Sequence, residues 1–347
     1  MKISILWLFI ITVSCSTTSK IVDSQTPNNT ISSLESILLN GVKQSLLIRS
    51  YNIKNPVILY IHGGPGSPEM PLIRYFNKQL EQHFTVVCWE QRGAGKSFNR
   101  SVPASTFTIA QFVDDGYELS KYLAKRFNQE KIYIIGHSWG TIISTLLARN
   151  HPELFYAYIG VGQVVNAELS EKLSYKLVLE KAIESNHAKA IKELRQINTP
   201  DYLTIDHNNK WLKQLTIERK WVTFFGGSIR NQNNYNQFLR IIIKSPEYSI
   251  PDMIKYVRGS KSSLSLLWPE IMKTDFLNSI VQFEIPVYFF QGIYDFNCPA
   301  ELINIYYPKI IAPKKELVLF NESAHNPGSE ENEKFNEKVI ELFTIQK

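Results

Sequence analysis

Residues Lys131 to Asn150 read Lys-Ile-Tyr-Ile-Ile-Gly-His-Ser-Trp-Gly, then Thr-Ile-Ile-Ser-Thr-Leu-Leu-Ala-Arg-Asn. An apolar, β-branched run therefore ends in a turn with a glycine on each side of a serine, and a helical stretch follows. This layout is typical of a sharp strand-to-helix turn that exposes a nucleophilic serine, here Ser138. Gly136 and Gly140 lack the Cβ atoms that would collide where the strand and the helix approach each other. The stretch predicts a strand, an elbow and a helix.

A glycine-rich loop earlier in the chain points to the same chemistry. Residues 56–61 have the pattern of a buried strand and run into His62-Gly-Gly-Pro-Gly66. Acyl transfer needs hydrogen-bond donors aimed at the oxygen that becomes negative in the tetrahedral intermediate. Trp139, directly after the serine, and Gly64 or Gly63 in the loop are the expected backbone donors. A purely structural turn would also explain these glycines, and the two interpretations are compatible.

A serine hydroxyl also needs a histidine that accepts its proton and an acid that orients the histidine. In the elbow layout, the chain order is serine, acid, histidine. His325 is the histidine near the C-terminus and follows a strand-like segment, so it is the expected base. Asp295 comes directly after the strand-like residues 286–291 and is the expected acid, with Asp275 and Glu322 as competitors.

Five sequence motifs, in this order along the chain, resemble those of a known protein family. They are His62-Gly-Gly-Pro-Gly66, Glu90-Gln-Arg-Gly-Ala-Gly-Lys-Ser97, Gly136-His-Ser-Trp-Gly140, Gly292-Ile-Tyr-Asp-Phe-Asn-Cys-Pro299 and the late His325. Together they resemble the proline iminopeptidase family of α/β hydrolases, from about Leu39 to the C-terminus. The resemblance implies an α/β-hydrolase fold with an inserted helical cap. It also implies Ser138, Asp295 and His325 as the catalytic triad, and the Gly64 and Trp139 amides as the oxyanion hole.

Two positions depart from the family pattern. The family's usual Asp-Gln-Arg-Gly is Glu90-Gln-Arg-Gly here, which keeps the charge. In the cap, a family Trp-x-x-Trp-Glu-Gly segment supplies a carboxylate that is thought to hold the free amino terminus of the substrate. The local match begins at Trp221 and places Phe225 at the glutamate position, and phenylalanine cannot pair with an ammonium group. Glu218 or Glu247 would have to substitute, and otherwise an esterase is the alternative.

The strand and helix pattern predicts an α/β domain with a mostly parallel sheet and helices on both faces. Its residues are 33–166 and 278–347, and an aromatic-rich helical cap at 167–277 is inserted after the sixth strand. Apolar cap residues at helical spacing are mainly expected to form the cap's own core. The predicted strands are near 33–39, 42–50, 57–62, 84–89, 131–136, 157–161, 287–291 and 317–320, and the clearest helices are 108–127 and 330–346.

The N-terminus has the pattern of an export signal. Lys2 precedes an apolar run, Ile3 to Val13, which is too short to span a bilayer and suits a signal-peptide core. Ser14 and Cys15 follow, as at a bacterial lipoprotein cleavage site, so residues 1–15 are the expected signal peptide and Cys15 the lipidated residue. Polar residues 16–32 are the expected flexible tether. An exported, membrane-anchored protein is predicted, with a periplasmic or secreted one as the alternative.

Composition adds only broad limits. The 347 residues are 44% hydrophobic, which is enough for one large core and an insertion. The formal charge of +6 is spread along the chain, so no nucleic-acid partner is expected, and contact with a membrane is expected only through the lipid anchor.

The predicted function is a serine hydrolase that works through an acyl-enzyme and needs neither a metal nor an organic cofactor. Its substrate is a small peptide or an ester. An aminopeptidase of the prolyl type follows from the family resemblance, whereas an apolar cap with Phe225 favours a carboxylesterase on small apolar esters. A non-catalytic binding protein is the third hypothesis.

Overall fold

An eight-stranded sheet forms the centre of the protein, in the order β1-β2-β4-β3-β5-β6-β7-β8. The computed structural model describes residues 17–18, 29–197 and 210–344. β1 pairs antiparallel with β2, β2 pairs antiparallel with β4, and all the following pairs are parallel. The strands are β1 Ile31–Leu39, β2 Val42–Ser50, β3 Val57–Ile61, β4 Thr85–Glu90, β5 Ile132–His137, β6 Phe155–Val161, β7 Val287–Gly292 and β8 Lys315–Phe320.

The central strands are buried on both faces because helices cover the sheet on each side. In β3, Val57 and Leu59 face one apolar cluster, and Ile58 and Tyr60 face the other. Helices α2 and α3 pack on the first face, and α1 and α12 pack on the second. These helices are α1 Met70–Phe76, α2 Ile109–Arg126, α3 Trp139–Asn150 and α12 Asn332–Thr344.

Between β6 and β7 the chain leaves the sheet, and the described elements of this segment are helices. The predicted cap, residues 167–277, contains α4 to α8 and the start of α9, within the part of the chain that is described. These are α4 Ala167–Glu184, α5 Ala188–Ile197, α6 Lys210–Phe224, α7 Asn236–Ile243, α8 Ile250–Ile271 and α9 Phe276–Ser279. The remaining helices, α10 Ala300–Tyr306 and α11 Pro327–Glu330, belong to the sheet-forming part of the chain.

Helix α8 holds the insertion against the glycine loops at the carboxyl ends of the strands. A capping box formed by Ser249 and Asp252 starts this helix. Ser260 Oγ donates a hydrogen bond to the Gly66 carbonyl at 2.6 Å, and Ser263 Oγ donates to the Gly93 carbonyl at 3.2 Å. The helical insertion therefore lies over the end of the sheet where β3, β4 and β5 stop.

All eight predicted strands are present, and the α/β-hydrolase fold class is confirmed. β1 begins at Ile31, inside the predicted tether, because Ile31 still pairs with Ser50 of β2. The predicted helix at 330–346 is divided between α11 and α12.

The predicted signal peptide, its Cys15 and most of the tether lie outside the described residues, so these assignments stay predictions. Thr17 and Thr18 are described, and they contact the loop between α7 and α8. Within the described ranges, no helix is both long and apolar enough to cross a membrane.

Candidate active site

Ser138 occupies a strained turn between β5 and α3. Its φ of 52° and ψ of −121° lie where residues with a side chain are rarely found. The turn is tight because a Cβ atom on Gly140 would lie 2.2 Å from the carbonyl oxygen of Ile61. The Ser138 N–H donates to the Val161 carbonyl at 2.9 Å, which fixes the elbow against β6. The predicted elbow is therefore present, with Ser138 at its tip.

Asp295 and His325 come together from separate loops after β7 and β8. His325 Nδ1 lies 2.7 Å from Asp295 Oδ2, and both residues are buried. Asp295 Oδ1 accepts the backbone N–H groups of Asn297 and Cys298 at 2.8 Å each. Because an ionised carboxylate only accepts hydrogen bonds, Nδ1 of His325 must carry its proton. In the neutral ring with its proton on Nδ1, Nε2 has no proton and can accept one from a serine.

The space beside this pair is too small for another side chain. A Cβ atom on Gly162, at φ of +55°, would lie 3.0 Å from Cε1 of His325 and 3.4 Å from Asp295 Oδ2. The competing acids are elsewhere: Asp275 precedes α9 and pairs with Asn278, and Glu322 is exposed. Of the three predicted acids, the structure therefore brings only Asp295 to His325.

His137 holds the backbone of His325 from the other side. Its Nε2 lies 2.9 Å from the His325 carbonyl oxygen, and its Nδ1 lies 2.7 Å from Glu69 Oε1. Burial by itself would lower the pKa of His137, but the Glu69 carboxylate outweighs burial and raises it. Burial likewise would raise the pKa of Glu69, yet the adjacent His137 lowers it. The Glu69 carboxylate therefore favours the protonated form of His137, and the two side chains together hold the backbone at His325.

Glu69 also distinguishes between the two candidate oxyanion donors in the glycine loop. The Gly63 N–H donates to Glu69 Oε1 at 3.2 Å, so it is already engaged. Gly64 and Trp139 line the same cavity as Ser138 and His325. Trp139 begins α3, where the first backbone N–H groups have no partner within the helix. The geometry therefore favours Gly64 over Gly63.

The Glu90–Ser97 motif contacts the loops around Ser138. Gln91 joins the two donor loops, because its Oε1 accepts the Trp139 indole N–H at 2.8 Å and its Nε2 donates to the His62 carbonyl at 2.9 Å. Arg92 makes two hydrogen bonds to Asp115 of α2, at 2.7 and 2.9 Å. Glu90, the departure from the family pattern, is buried against Tyr248, and its burial raises its pKa to about 7.

A cavity of about 660 Å³ lies between the sheet and the helical insertion. Its lining is mostly apolar, and its charged residues are Glu69, Glu171 and Arg219. Its volume exceeds what a single small residue requires and falls in the range of typical small-molecule sites. Ser138 and His325 also line this cavity. Its apolar lining comes from Leu72, Ile142, Val164, Leu215, Phe238, Leu239, Ile242, Leu264, Trp268 and Ile271.

Two carboxylates share the guanidinium of Arg219, which lines this cavity. Arg219 of α6 pairs with Glu171 of α4 and, at 2.6 Å, with Glu218. Ser174 Oγ donates to Glu218 at 2.6 Å. Glu171 lines the cavity, and its burial raises its pKa to about 7, although Arg219 opposes that shift. When both acids are ionised, this group carries a net negative charge beside Ser170 and Leu215.

The cap residues predicted from the sequence lie away from this cavity. Among the described residues that line it, Trp221, Phe225, Glu218 and Glu247 do not occur. Trp221 and Phe225 stack on each other, with ring centroids 6.0 Å apart, in an aromatic cluster that includes His187. Glu218 is buried behind Arg219, and Glu247 pairs with Arg74 at 2.7 Å. The segment that matches the family motif, from Trp221 to Gly226, therefore packs in this aromatic cluster. Phe225 does not line the cavity.

Glu171 and Glu69 were not identified from the sequence. Glu171 shares a helical face with Ala167, Ser170 and Ser174, all of which are buried. An acidic side chain on such a face is a usable signal, because charged groups are buried only when they are paired. Glu69 has no comparable signal, since its histidine partner, His137, is 68 residues away in the chain.

One cluster in the described part of the chain has donor atoms suited to a metal ion. It consists of Asp295, Cys298 and His325, whose donor atoms lie within 4.8 Å of one another. Burial raises the pKa of the Cys298 thiol well above its usual value, so the thiolate that a metal would need is disfavoured. Asp295 and His325 are moreover already hydrogen-bonded to each other at 2.7 Å.

Comparison with known proteins agrees with the fold. Residues 56–189 match the sequence model of the α/β-hydrolase fold. The chain is 32% identical to a protein named probable aminopeptidase YbaC of Bacillus subtilis (strain 168), over 87% of this chain and 93% of that protein. It is 25% identical to a proline iminopeptidase of Clostridioides difficile (strain 630), over 81% of this chain and 87% of that protein. These matches extend over the sheet and the helical insertion together.

A solved structure shows the same fold. The crystal structure of a proline iminopeptidase from Mycobacterium smegmatis superposes with a TM-score of 0.64 at 15% identity, over 90% of this chain and 98% of that one. The class is therefore an enzyme of the α/β-hydrolase fold. Within that class, the chain belongs to the proline iminopeptidase family, as its motifs predicted.

Proposed function

We propose that this enzyme is a serine hydrolase whose triad is Ser138, Asp295 and His325. Ser138 Oγ attacks the substrate carbonyl carbon while Nε2 of His325 takes its proton, and Asp295 stabilises the imidazolium that forms. The N–H groups of Gly64 and Trp139 stabilise the oxyanion. His325 then protonates the leaving group as its bond to carbon breaks, and water releases the acyl group by the same steps. The observation that carries the proposal is the 2.7 Å His325–Asp295 hydrogen bond beside a strained Ser138 in one cavity.

The substrate we propose is a peptide with a free amino terminus, as the family suggests. Phe225 provides no carboxylate, but Glu171 lies in the cavity with Arg219 and with Glu218 behind it. Two carboxylates against one guanidinium leave a negative charge that attracts an ammonium group, and the surrounding apolar side chains suit an uncharged residue. Glu171 thus replaces the cap glutamate that the chain lacks.

Replacing Glu171 with glutamine is expected to raise KM for a free-amine substrate about 10- to 100-fold, since one charge-assisted hydrogen bond is lost. The pKa of Glu171 is raised to about 7, so its carboxylate is present above that pH and is lost as the pH falls through it. In the unmodified enzyme, KM for the amine substrate should therefore rise on acidification. The measurement is the ratio of KM for the amine substrate to KM for an N-acetylated or ester substrate. Other effects of pH on the enzyme act on both substrates and cancel in this ratio.

Glu168→Gln is the matched control for this measurement. Glu168 is on the same helix but is exposed and pairs with Lys172. Its replacement should leave both the KM ratio and its pH dependence unchanged. Equal losses for amine and ester substrates in Glu171→Gln would contradict the proposed amine site.

The substrate class itself is tested by two comparisons on the enzyme without its first 15 residues, which keeps all described residues. Release of p-nitroaniline from prolyl- and alanyl-p-nitroanilide is compared with release from their N-acetylated forms and with hydrolysis of p-nitrophenyl butyrate. Turnover that requires the free amine supports the aminopeptidase. Ester cleavage without anilide turnover would instead support a carboxylesterase, which the mostly apolar lining favours. Absence of labelling by a fluorophosphonate probe would support a non-catalytic protein.

We also propose that the protein is exported and anchored through a lipid on Cys15. The support is the order of the N-terminal residues, a short apolar core followed by Ser14 and Cys15. Incorporation of a radiolabelled fatty acid that disappears in Cys15→Ser would support the anchor. Protein in the culture medium that carries no fatty-acid label would support the secreted alternative.

A further inference from the structure

The first described residues of the chain contact the helical insertion. The Thr17 N–H donates to the Pro246 carbonyl at 2.9 Å, and Thr18 Oγ1 donates to Glu247 Oε1 at 2.9 Å. Pro246 and Glu247 belong to the loop that joins α7 to α8. Thr17 is two residues beyond Cys15 in the sequence. A lipid on Cys15 would therefore be attached within a few ångströms of chain length from this loop.

Apolar side chains are exposed on both helices that flank this loop. Ile250, Ile254 and Val257 of α8 are spaced by four and three residues and share one helical face. Ile250 is 80% exposed and Val257 70% exposed. On α7, Leu239 and Ile243 are exposed at the same kind of spacing. Exposed apolar residues that are grouped in this way, rather than scattered singly, are typical of a contact surface.

All the exposed charges between Asn236 and Lys261 are positive. The two acids in this segment, Glu247 and Asp252, are buried and paired with Arg74 and Lys96, respectively. Five cations reach the surface, and helical spacing places several of them beside the apolar stripes: Arg240, Lys244, Lys255, Arg258 and Lys261. An apolar stripe with basic margins is the pattern of a helix that lies in the surface of an anionic bilayer.

The same helices form part of the cavity above Ser138. Tyr235 and Leu239 are exposed, and both also line the cavity. Phe238 and Ile242 of α7 and Tyr256 of α8 line it from within. The apolar stripe on α7 is therefore continuous, through Leu239, with the lining of the cavity. If the apolar stripe on α7 docked on a membrane or a protein, that partner would lie next to the exposed part of the cavity lining.

We propose that this surface, which we call the cap face, docks on an anionic lipid bilayer and directs the cavity entrance towards it. The cap face consists of Leu239, Arg240, Ile243, Lys244, Ile250, Ile254, Val257, Arg258 and Lys261. A second copy of the chain is the weaker candidate, because pairing two identical surfaces would bring like charges together. The inference does not depend on which acyl compound is cleaved. It adds a direct contact of the folded protein with the membrane to the lipid anchor proposed at Cys15.

The test uses the chain from Ser16 onward, which retains every described residue and has no lipid. Co-sedimentation is measured with vesicles of phosphatidylcholine alone and with vesicles of equal parts phosphatidylcholine and phosphatidylglycerol. Binding is expected only to the second kind and should weaken with added salt. Ile250→Ser with Val257→Ser, and separately Lys244→Glu with Arg258→Glu, should each reduce the partition coefficient about tenfold or more.

Matched controls test whether removing exposed apolar or cationic side chains elsewhere on the protein also weakens vesicle binding. Leu38→Ser with Ile311→Ser removes two apolar side chains of similar exposure, 70% and 64%, from other elements. Lys54→Glu with Lys314→Glu makes the same change in net charge elsewhere. Both controls should bind vesicles as the parent chain does, and all variants should hydrolyse a soluble ester normally, which shows that they fold.

Three outcomes would overturn the proposal. The first is no binding to anionic vesicles by the parent chain. The second is an equal loss of binding in the controls and in the cap-face variants. The third is a dimer in sedimentation velocity that Ile250→Ser with Val257→Ser dissociates, which would make a second copy the occupant.

Discussion

Replacing Ser138 with alanine is expected to lower turnover by about 10³-fold or more, with the fold intact. The reason is that no other group at the elbow can form the acyl-enzyme, and the remaining oxyanion donors and cavity supply only residual catalysis. Single-turnover kinetics on the substrate that proves most active, together with labelling by a fluorophosphonate, measure the effect. Full activity in this variant would refute the proposed mechanism.

Two further variants make that result specific. Ser120→Ala removes a buried hydroxyl that donates to the Gly116 carbonyl at 2.7 Å, far along α2, and should keep its activity. Ser138→Gly should be as inactive as Ser138→Ala, yet more stable than the parent by about 1 kcal/mol. Glycine adopts a φ of 52° without the steric cost that serine bears. An inactive but destabilised Ser138→Gly would show that the elbow is not strained.

Replacing Asp115 with alanine is expected to destabilise the fold by about 3–5 kcal/mol. Asp115 is buried and accepts two hydrogen bonds from Arg92, and Asn40 and Gln44 also donate to it. Without the carboxylate, the Arg92 guanidinium would remain buried and uncompensated. The melting temperature should fall by about 4–7 °C, measured by scanning calorimetry at neutral pH.

Glu35→Ala is the control for that stability measurement. Glu35 also pairs with an arginine, Arg126 at 2.8 Å, but on the surface. Exposed pairs contribute at most about 1 kcal/mol, so the melting temperature should change little. Similar losses in the two variants would mean that burial does not determine the contribution of the Arg92–Asp115 pair.

Much of the fold followed from local patterns in the chain. β3 and β5 are continuous β-branched and apolar runs, which is what a parallel strand covered on both faces requires. The glycines that flank Ser138 mark a close approach of main chains, and this requirement is visible without knowledge of the partner. Where the prediction failed in detail, as at the start of β1, pairing with β2 extended the strand by Ile31 and Ser32.

The residues of the cap that line the cavity were harder to predict from the sequence, because they depend on the direction in which each helix faces. The family match at Trp221 to Gly226 singled out Phe225, but α6 packs that segment into an aromatic cluster outside the cavity. Glu171 is 48 residues from Arg219 in sequence, and only the packing of α4 on α6 joins them. No periodicity within either helix specifies which residue of the other it will meet.

The order of motifs along the chain thus specified the α/β sheet, the elbow and the identity of the three residues proposed as the triad, because backbone geometry at short range restricts which residues those positions accept. The supporting pairs, Glu69 with His137 and Arg92 with Asp115, the acidic group in the cavity and the basic, apolar cap face emerged only on folding. Each of them joins segments that are distant in the chain, and their energies depend on burial and on partners that a local pattern does not contain.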